Sequence, residues 1–192
     1  MNGTTEGSDG WEDGGPDPAE LQRRLDEALD ELERLNLTLE VLGTVDLDTG
    51  LLNRNGLLEA LERCRRWQAR RGDVYGLLVV RVPWIAEMSA SPTDEVDMAK
   101  HVAATIAAGL RDVDDVGRVK RDVFAGALST MRPGSIRVVG ERVAQLVATL
   151  DGQSSIGAIE VLSTRHISGP ILDLGERLAK SAEPGACEYQ SI

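Results

Sequence analysis

The chain has 192 residues, of which 42% are hydrophobic and 3% aromatic, and it carries a formal charge of −11. The apolar share supports a packed core, and the acidic balance excludes a general nucleic-acid binder, which needs a basic footprint. Three Trp, two Tyr and one Phe leave little material for a base-stacking surface or an aromatic cage. No apolar run approaches the roughly 18 residues of a membrane span. The opening residues lack the basic and apolar regions of a secretory signal. Cys64 and Cys187, far apart in the chain, fit a reduced cytoplasmic protein better than a disulfide scaffold. His101 and His166 have no Cys or His neighbours with which to build a zinc site, so no metal is expected.

Residues 1–17 hold five acidic residues and five glycines, with neither Lys nor Arg. They read as a disordered acidic tail. Residues 18–42 change period. Leu21, Leu25, Ala28, Leu32, Leu35, Leu39 and Leu42 follow one another at spacings that alternate between 4 and 3. This is a heptad seam, and it predicts a coiled-coil helix that pairs with a second copy of the chain. The other reading is an amphipathic helix packed on its own domain. Asp17-Pro18 suits the helix start.

Residues 43–185 read as one globular domain. Thr49-Gly50 marks a turn, and Asn53 is a plausible N-cap for a helix through about Arg70, ended by Arg71-Gly72-Asp73. Val74–Val82 is a β-branched apolar run of buried-strand length, closed by Pro83. Ser91-Pro92 opens a helix to about Leu110. Val116–Val119 and Val123–Leu128 predict a hairpin around Lys120-Arg121-Asp122. A helix over Ser135–Leu150, a strand over Ser154–Val161 and a helix over Gly169–Ala182 follow, and residues 186–192 are left as a C-terminal tail. The order predicts an α/β (α+β) fold, a central sheet flanked by helices.

The segments fall in a recognisable order. Asp46-Leu47-Asp48-Thr49-Gly50-Leu51-Leu52-Asn53-Arg54 resembles the D-x-L-T-G-L-x-N-R motif of GGDEF domains, the diguanylate cyclase family. Leu77–Val82 resembles that family's first core strand, and Val116–Phe124 its V-G-R-x-G-G-D-E-F hairpin. Ser155-Ile156-Gly157-Ala158 resembles its S-I-G-V strand. Ala179-Lys180 and Gly185 loosely fit the motif of its last helix. The resemblance implies a nucleotide-cyclase-like fold in a bacterial signalling protein, one that condenses two GTP into cyclic di-GMP across a dimer.

It also implies that this copy is inactive. Phosphoryl transfer needs carboxylates for Mg²⁺ and a backbone the phosphates can approach. Where the family has two glycines, this chain has Lys120 and Arg121. Asp122 keeps its acid, but Val123 replaces the glutamate, Arg81 a metal-binding aspartate and Pro83 the next acid. The guanine-reading positions have no convincing counterparts between Met88 and Asp97. Three cations at a former metal site would repel Mg²⁺.

One further family feature is retained. The product site R-x-x-D precedes the signature by five residues, and Arg111-Asp112-Val113-Asp114 stands in that register before Lys120. Arg142, in Gly140-Glu141-Arg142-Val143, matches the second arginine of that site. Arginines can grip phosphate or a guanine edge, and Asp114 could accept from guanine donors. The plainer reading is a surface ion pair at a helix end.

The expectation is a cytoplasmic, inactive GGDEF-type protein. It would bind cyclic di-GMP at Arg111, Asp114 and Arg142 and relay it to a protein partner, with no direct nucleic-acid or membrane contact. Two alternatives stay open. One is a nucleotide-independent scaffold or dimeric adaptor, using the coiled coil and the basic hairpin. The other is a metal-independent GTP binder, with Arg81, Lys120 and Arg121 holding phosphate or else an acidic partner. Those cations could also be simply solvated.

Overall fold

The computed structural model describes residues 17–150 and 153–192; the predicted tail over residues 1–16 lies outside the described residues. The chain divides into two units, residues 1–39 and 40–192.

Helix α1 runs from Pro18 to Leu42. Asp17 starts it, accepting the Ala19 N–H on its side chain at 3.1 Å. Along its surface Arg23 pairs with Glu27 at 2.8 Å and Arg34 with Glu31 at 2.9 Å, i,i+4 and i,i+3 contacts that support a helix in water. Of the predicted seam, Leu21, Leu25, Leu32 and Leu35 are 47–57% exposed, and Ala28 is exposed as well. Leu29 adds a further exposed apolar side chain. The side chains of Leu39 and Leu42 lie outside the described residues.

The second unit is built on a five-stranded sheet of order β2-β3-β1-β4-β5. The strands are β1 (Val74–Arg81), β2 (Asp115–Lys120), β3 (Val123–Met131), β4 (Ser155–Val161) and β5 (Cys187–Ser191). All pairings are antiparallel except β4 with β5. The helices are α2 (Arg54–Arg71), the short α3 (Trp84–Met88), α4 (Pro92–Ala108), α5 (Ser135–Val147) and α6 (Ser168–Ser181).

Strand alternation divides the core into two layers. Leu78, Val80, Phe124 and Ile156 face Val102 and Ile106 of α4 and Ile136 and Val143 of α5. Leu77, Val79, Ala125 and Ile159 face Leu57, Leu61 and Cys64 of α2 and Ile171 and Leu172 of α6. β1 is central and buried on both faces, which is why its sequence is continuously apolar.

Local signals explain the boundaries. Asn53 caps α2 through its Oδ1, which accepts the Gly56 N–H at 3.0 Å. Gly72 ends α2 in the left-handed region at φ 75°, its N–H donating to the Gln68 carbonyl at 2.8 Å. Ser91 caps α4, with Pro92 in its first turn.

Two expectations are corrected. Residues 187–191, expected in a C-terminal tail, form β5 in register with β4 from Ile156 to Glu160. Their sequence, Cys-Glu-Tyr-Gln-Ser, has no apolar alternation because the strand is an exposed sheet edge; pairing with β4, not burial, makes it a strand. Pro83 closes β1 as expected, but Trp84–Met88 then turns helical and buries Trp84 and Ile85 in the α4–α5 layer. Strand β3 also runs three residues past Leu128.

Candidate functional site

Two places carry the residues singled out from the sequence. The first is the β2–β3 hairpin. Asp46 organises the preceding turn, its Oδ1 accepting the Thr49 N–H at 2.9 Å. Leu52 then bridges to β2, its N–H reaching the Val116 carbonyl at 3.2 Å and its carbonyl accepting the Arg118 N–H at 2.7 Å. Gly117 permits that approach, since a Cβ there would stand 2.8 Å from the Leu52 carbonyl oxygen. Arg118, only 6% exposed, fastens the turn to the hairpin. Its guanidinium lies 3.1 Å from the Asp48 carboxylate and 3.8 Å from those of Asp46 and Glu95, and it donates to the Arg121 carbonyl at 3.0 Å.

The cations Arg81, Lys120 and Arg121 are not bare. Arg121 grips Glu95 of α4 with two N–H groups, Lys120 is ion-paired with Glu176 of α6, and Arg81 Nε lies 3.4 Å from Asp122 Oδ2. The Arg121 hydrogen bonds, with the nearby Arg118 charge, hold the Glu95 carboxyl below the usual carboxylate range. The basic patch expected from the sequence is therefore largely neutralised within the fold. A cleft of about 620 Å³ opens beside it, lined among others by Asp46, Asp48, Arg54, Asn55, Glu95 and Arg118. A smaller one of about 220 Å³ is lined by Arg81, Lys120, Asp122, Val123, Glu176 and Lys180.

Magnesium, which the resemblance implies for a cyclase, does not fit these residues. Pro83 and Val123 have no side-chain donor oxygen, and Asp122 is held by the Arg81 guanidinium.

The second place brings together the residues of the R-x-x-D motif and Arg142. Arg111, Asp114 and Arg142 line one cavity of about 310 Å³, with Thr130, Arg132 and Ser135. Asp114, whose side chain is 3% exposed, is saturated: Oδ1 accepts from Arg111 Nη2 at 2.9 Å and from the Ser129 N–H at 3.2 Å, while Oδ2 accepts the Arg111 N–H and Nε, both at 3.1 Å. With about four acceptor sites on a carboxylate, none is left for a guanine donor. Asp114 therefore orients Arg111, and the expectation that it accepts directly from a base does not match this geometry. Arg111 also donates to the Ser129 and Thr130 carbonyls. Arg142, which lines the cavity, uses Nε on the Gly109 carbonyl at 2.8 Å, and its terminal nitrogens have no described partner.

Several site residues were not legible in the sequence. Glu95 and Glu176 reach the hairpin from helices 26 and 56 positions away, and no spacing announces them. Arg118 was visible only as part of the signature match, while Arg132 gave no signal. Of the two histidines, His101 is exposed and His166 half-buried.

No family model and no curated protein matches the chain. Solved structures do. The diguanylate cyclase SiaD of Pseudomonas aeruginosa, solved with its activator SiaC, is 23% identical with a TM-score of 0.66, over 90% of this chain and 71% of that one. The coiled coil and GGDEF domain of DgcB from Caulobacter crescentus, in complex with c-di-GMP, is 16% identical with a TM-score of 0.65, over 88% and 99%. The S helix-GGDEF-EAL portion of Vibrio cholerae LapD, bound to c-di-GMP, is 16% identical with a TM-score of 0.65, over 89% and 40%. At these identities the likeness is one of architecture, and it agrees with the five-stranded sheet and its flanking helices: the chain has the fold of the GGDEF diguanylate cyclase domains.

Proposed function

We propose that this protein is a catalytically inactive GGDEF-type signalling domain that binds cyclic di-GMP in the Arg111–Arg142 cavity and relays its presence to a protein partner. The observation that carries this reading is the convergence of the Arg111–Asp114 pair and of Arg142, from the separate helix α5, on one cavity. In this arrangement Asp114 is a positioning residue that locks the Arg111 guanidinium plane. Arg111, four of whose five N–H groups are taken by Asp114, Ser129 and Thr130, offers chiefly its flat guanidinium face for a guanine to stack on, and Arg142 offers its terminal N–H groups to a phosphate or a guanine edge. Inactivity is supported by Arg81, Pro83 and Val123 at the metal positions and by the ion pairs that tie Lys120 and Arg121 to neighbouring helices.

Isothermal titration of cyclic di-GMP into wild type, Arg111→Ala and Arg142→Ala tests the reading. Saturable heat with wild type that is lost in both variants is expected. No heat with wild type overturns it.

The exposed leucines of α1 favour a second reading, a dimeric scaffold without nucleotide. Partner capture that is equal with and without cyclic di-GMP, and insensitive to Arg111→Ala, would support the scaffold instead.

A further inference from the structure

We infer that Arg132 is a third ligand-binding arginine of the Arg111–Arg142 cavity, which a β-bulge at Ser129–Thr130 walls, and that the cavity selects a doubly anionic ligand. This rests on the cyclic di-GMP reading above and extends it to a residue outside the R-x-x-D pattern.

The pairing of β1 with β3 slips at this point. Gly76 lies opposite Leu128, but Val74 lies opposite Met131, so two steps on β1 match three on β3. The extra residue falls at Ser129–Thr130, and Thr130 is at φ 49°, the one non-glycine residue with positive φ among the described residues. A β-branched side chain resists that conformation, so the surrounding contacts must impose it. Bulges of this kind re-aim side chains beside functional sites.

Two consequences follow. First, the carbonyls of Ser129 and Thr130 both turn toward the Arg111 guanidinium, and the Ser129 N–H turns toward Asp114. The bulge is thus the wall that holds the R-x-x-D pair. Second, side-chain parity reverses. Leu128 and Met131, three residues apart, both pack in the α4–α5 layer, whereas a regular strand would send them to opposite faces. Anchored by Met131, the chain leaves the sheet with Arg132 exposed at the cavity, and α5 begins at Ser135.

The charges then have a definite balance. Arg111, Arg132 and Arg142 stand against Asp114, a net of two positive charges lining the cavity. Arg111 is largely engaged by the protein, and Arg142 by one nitrogen. The Arg132 side chain has no ion pair or side-chain hydrogen bond among the described residues. Its donors are available for charge-assisted bonds to phosphate oxygens, and a ligand with two phosphodiester charges matches the balance.

The test is titration of cyclic di-GMP, and separately of inorganic pyrophosphate, into wild type, Arg132→Ala, Arg132→Lys and Arg111→Ala at low and high salt. The expected result is about ten-fold weaker cyclic di-GMP binding by Arg132→Ala, with a shallower salt dependence, and partial recovery in Arg132→Lys. Melting temperatures of wild type and both Arg132 variants should agree, since the side chain is exposed. Wild-type binding that Arg132→Ala leaves unchanged overturns the inference and leaves the cyclic di-GMP reading standing. Pyrophosphate binding that depends on Arg132, without any cyclic di-GMP binding, supports the arginine cluster and overturns the nucleotide reading. Binding of neither compound by wild type overturns both.

Discussion

Arg81 at the end of β1 and Asp122 at the tip of the β2–β3 hairpin form an ion pair, Nε to Oδ2 at 3.4 Å, in the place where the resemblance puts metal ligands. A guanidinium there does structurally what a cation would do, compensating the carboxylate with no ion bound. Replacing Arg81 with Asp should leave two like charges facing each other. The half-exposed pair is worth up to about 1 kcal/mol. The variant should melt about 2–4 °C lower, and millimolar Mg²⁺ should restore part of the loss. Calorimetry with and without Mg²⁺ checks this; a variant as stable as wild type would show that the pair contributes nothing.

Gly157 in the Ser-Ile-Gly-Ala strand explains why α6 lies so close to the sheet. A Cβ at Gly157 would stand 2.5 Å from the Gly175 carbonyl oxygen and 2.6 Å from the Ala179 nitrogen. Both are backbone atoms that cannot rotate aside. Gly157→Ala should therefore cost about 1–3 kcal/mol through overpacking, read as a lower urea midpoint with unchanged slope.

Arg118 is a buried cation shared by Asp46, Asp48 and Glu95. Arg118→Met keeps much of the apolar stem but leaves the three carboxylates without it. A loss of about 2 kcal/mol is expected, or about 4–8 °C in melting temperature. Hydrogen exchange should locate the loosening in the 46–52 turn.

Three groups that burial keeps protonated, Cys64, Tyr75 and the partly buried Cys187, bear on alkaline stability. Burial pushes the thiols of Cys64 and Cys187 from 9.0 up to about 11, and the Tyr75 hydroxyl from 10.0 up to about 12. In the folded state each group holds its proton more tightly than in the unfolded chain. The associated stability is therefore complete below about pH 9 and is lost progressively as pH rises through 11. Denaturant midpoints measured from pH 8 to 11 should fall, and a Cys64→Ala variant should fall less steeply. Both thiols should also react slowly with alkylating reagents at pH 8.

The row Leu21, Leu25, Leu32 and Leu35 on α1 is expected to dimerise the chain. Light scattering should give the mass of two chains for wild type and of one for a Leu25→Glu, Leu32→Glu double variant. A monomeric wild type at high concentration would refute the seam reading.

Much of the domain was legible along the chain because its signals are local. Asn53, Ser91 and Gly72 announce helix ends through their own hydrogen bonds and backbone angles. The continuous apolar run of β1 announces a strand buried on both faces. β5 was not legible, because an exposed edge strand is made by its neighbour's hydrogen bonds and leaves no periodicity of its own.

The same division holds at the sites. Set against the cyclase signature it resembles, the sequence by itself puts Lys120, Arg121, Val123 and Arg81 where that signature has glycines and acids, and Arg111, Asp114 and Arg142 in the register of its R-x-x-D site. Only the tertiary structure decided what these charges meet. Glu95 and Glu176 neutralise the hairpin from separate helices, Asp114 is saturated by Arg111 and Ser129, and a one-residue bulge walls the cavity that Arg132 also lines. Ion pairing depends on distance through space, and strand parity on the register with a neighbouring strand; neither is written in the spacing of residues along one chain.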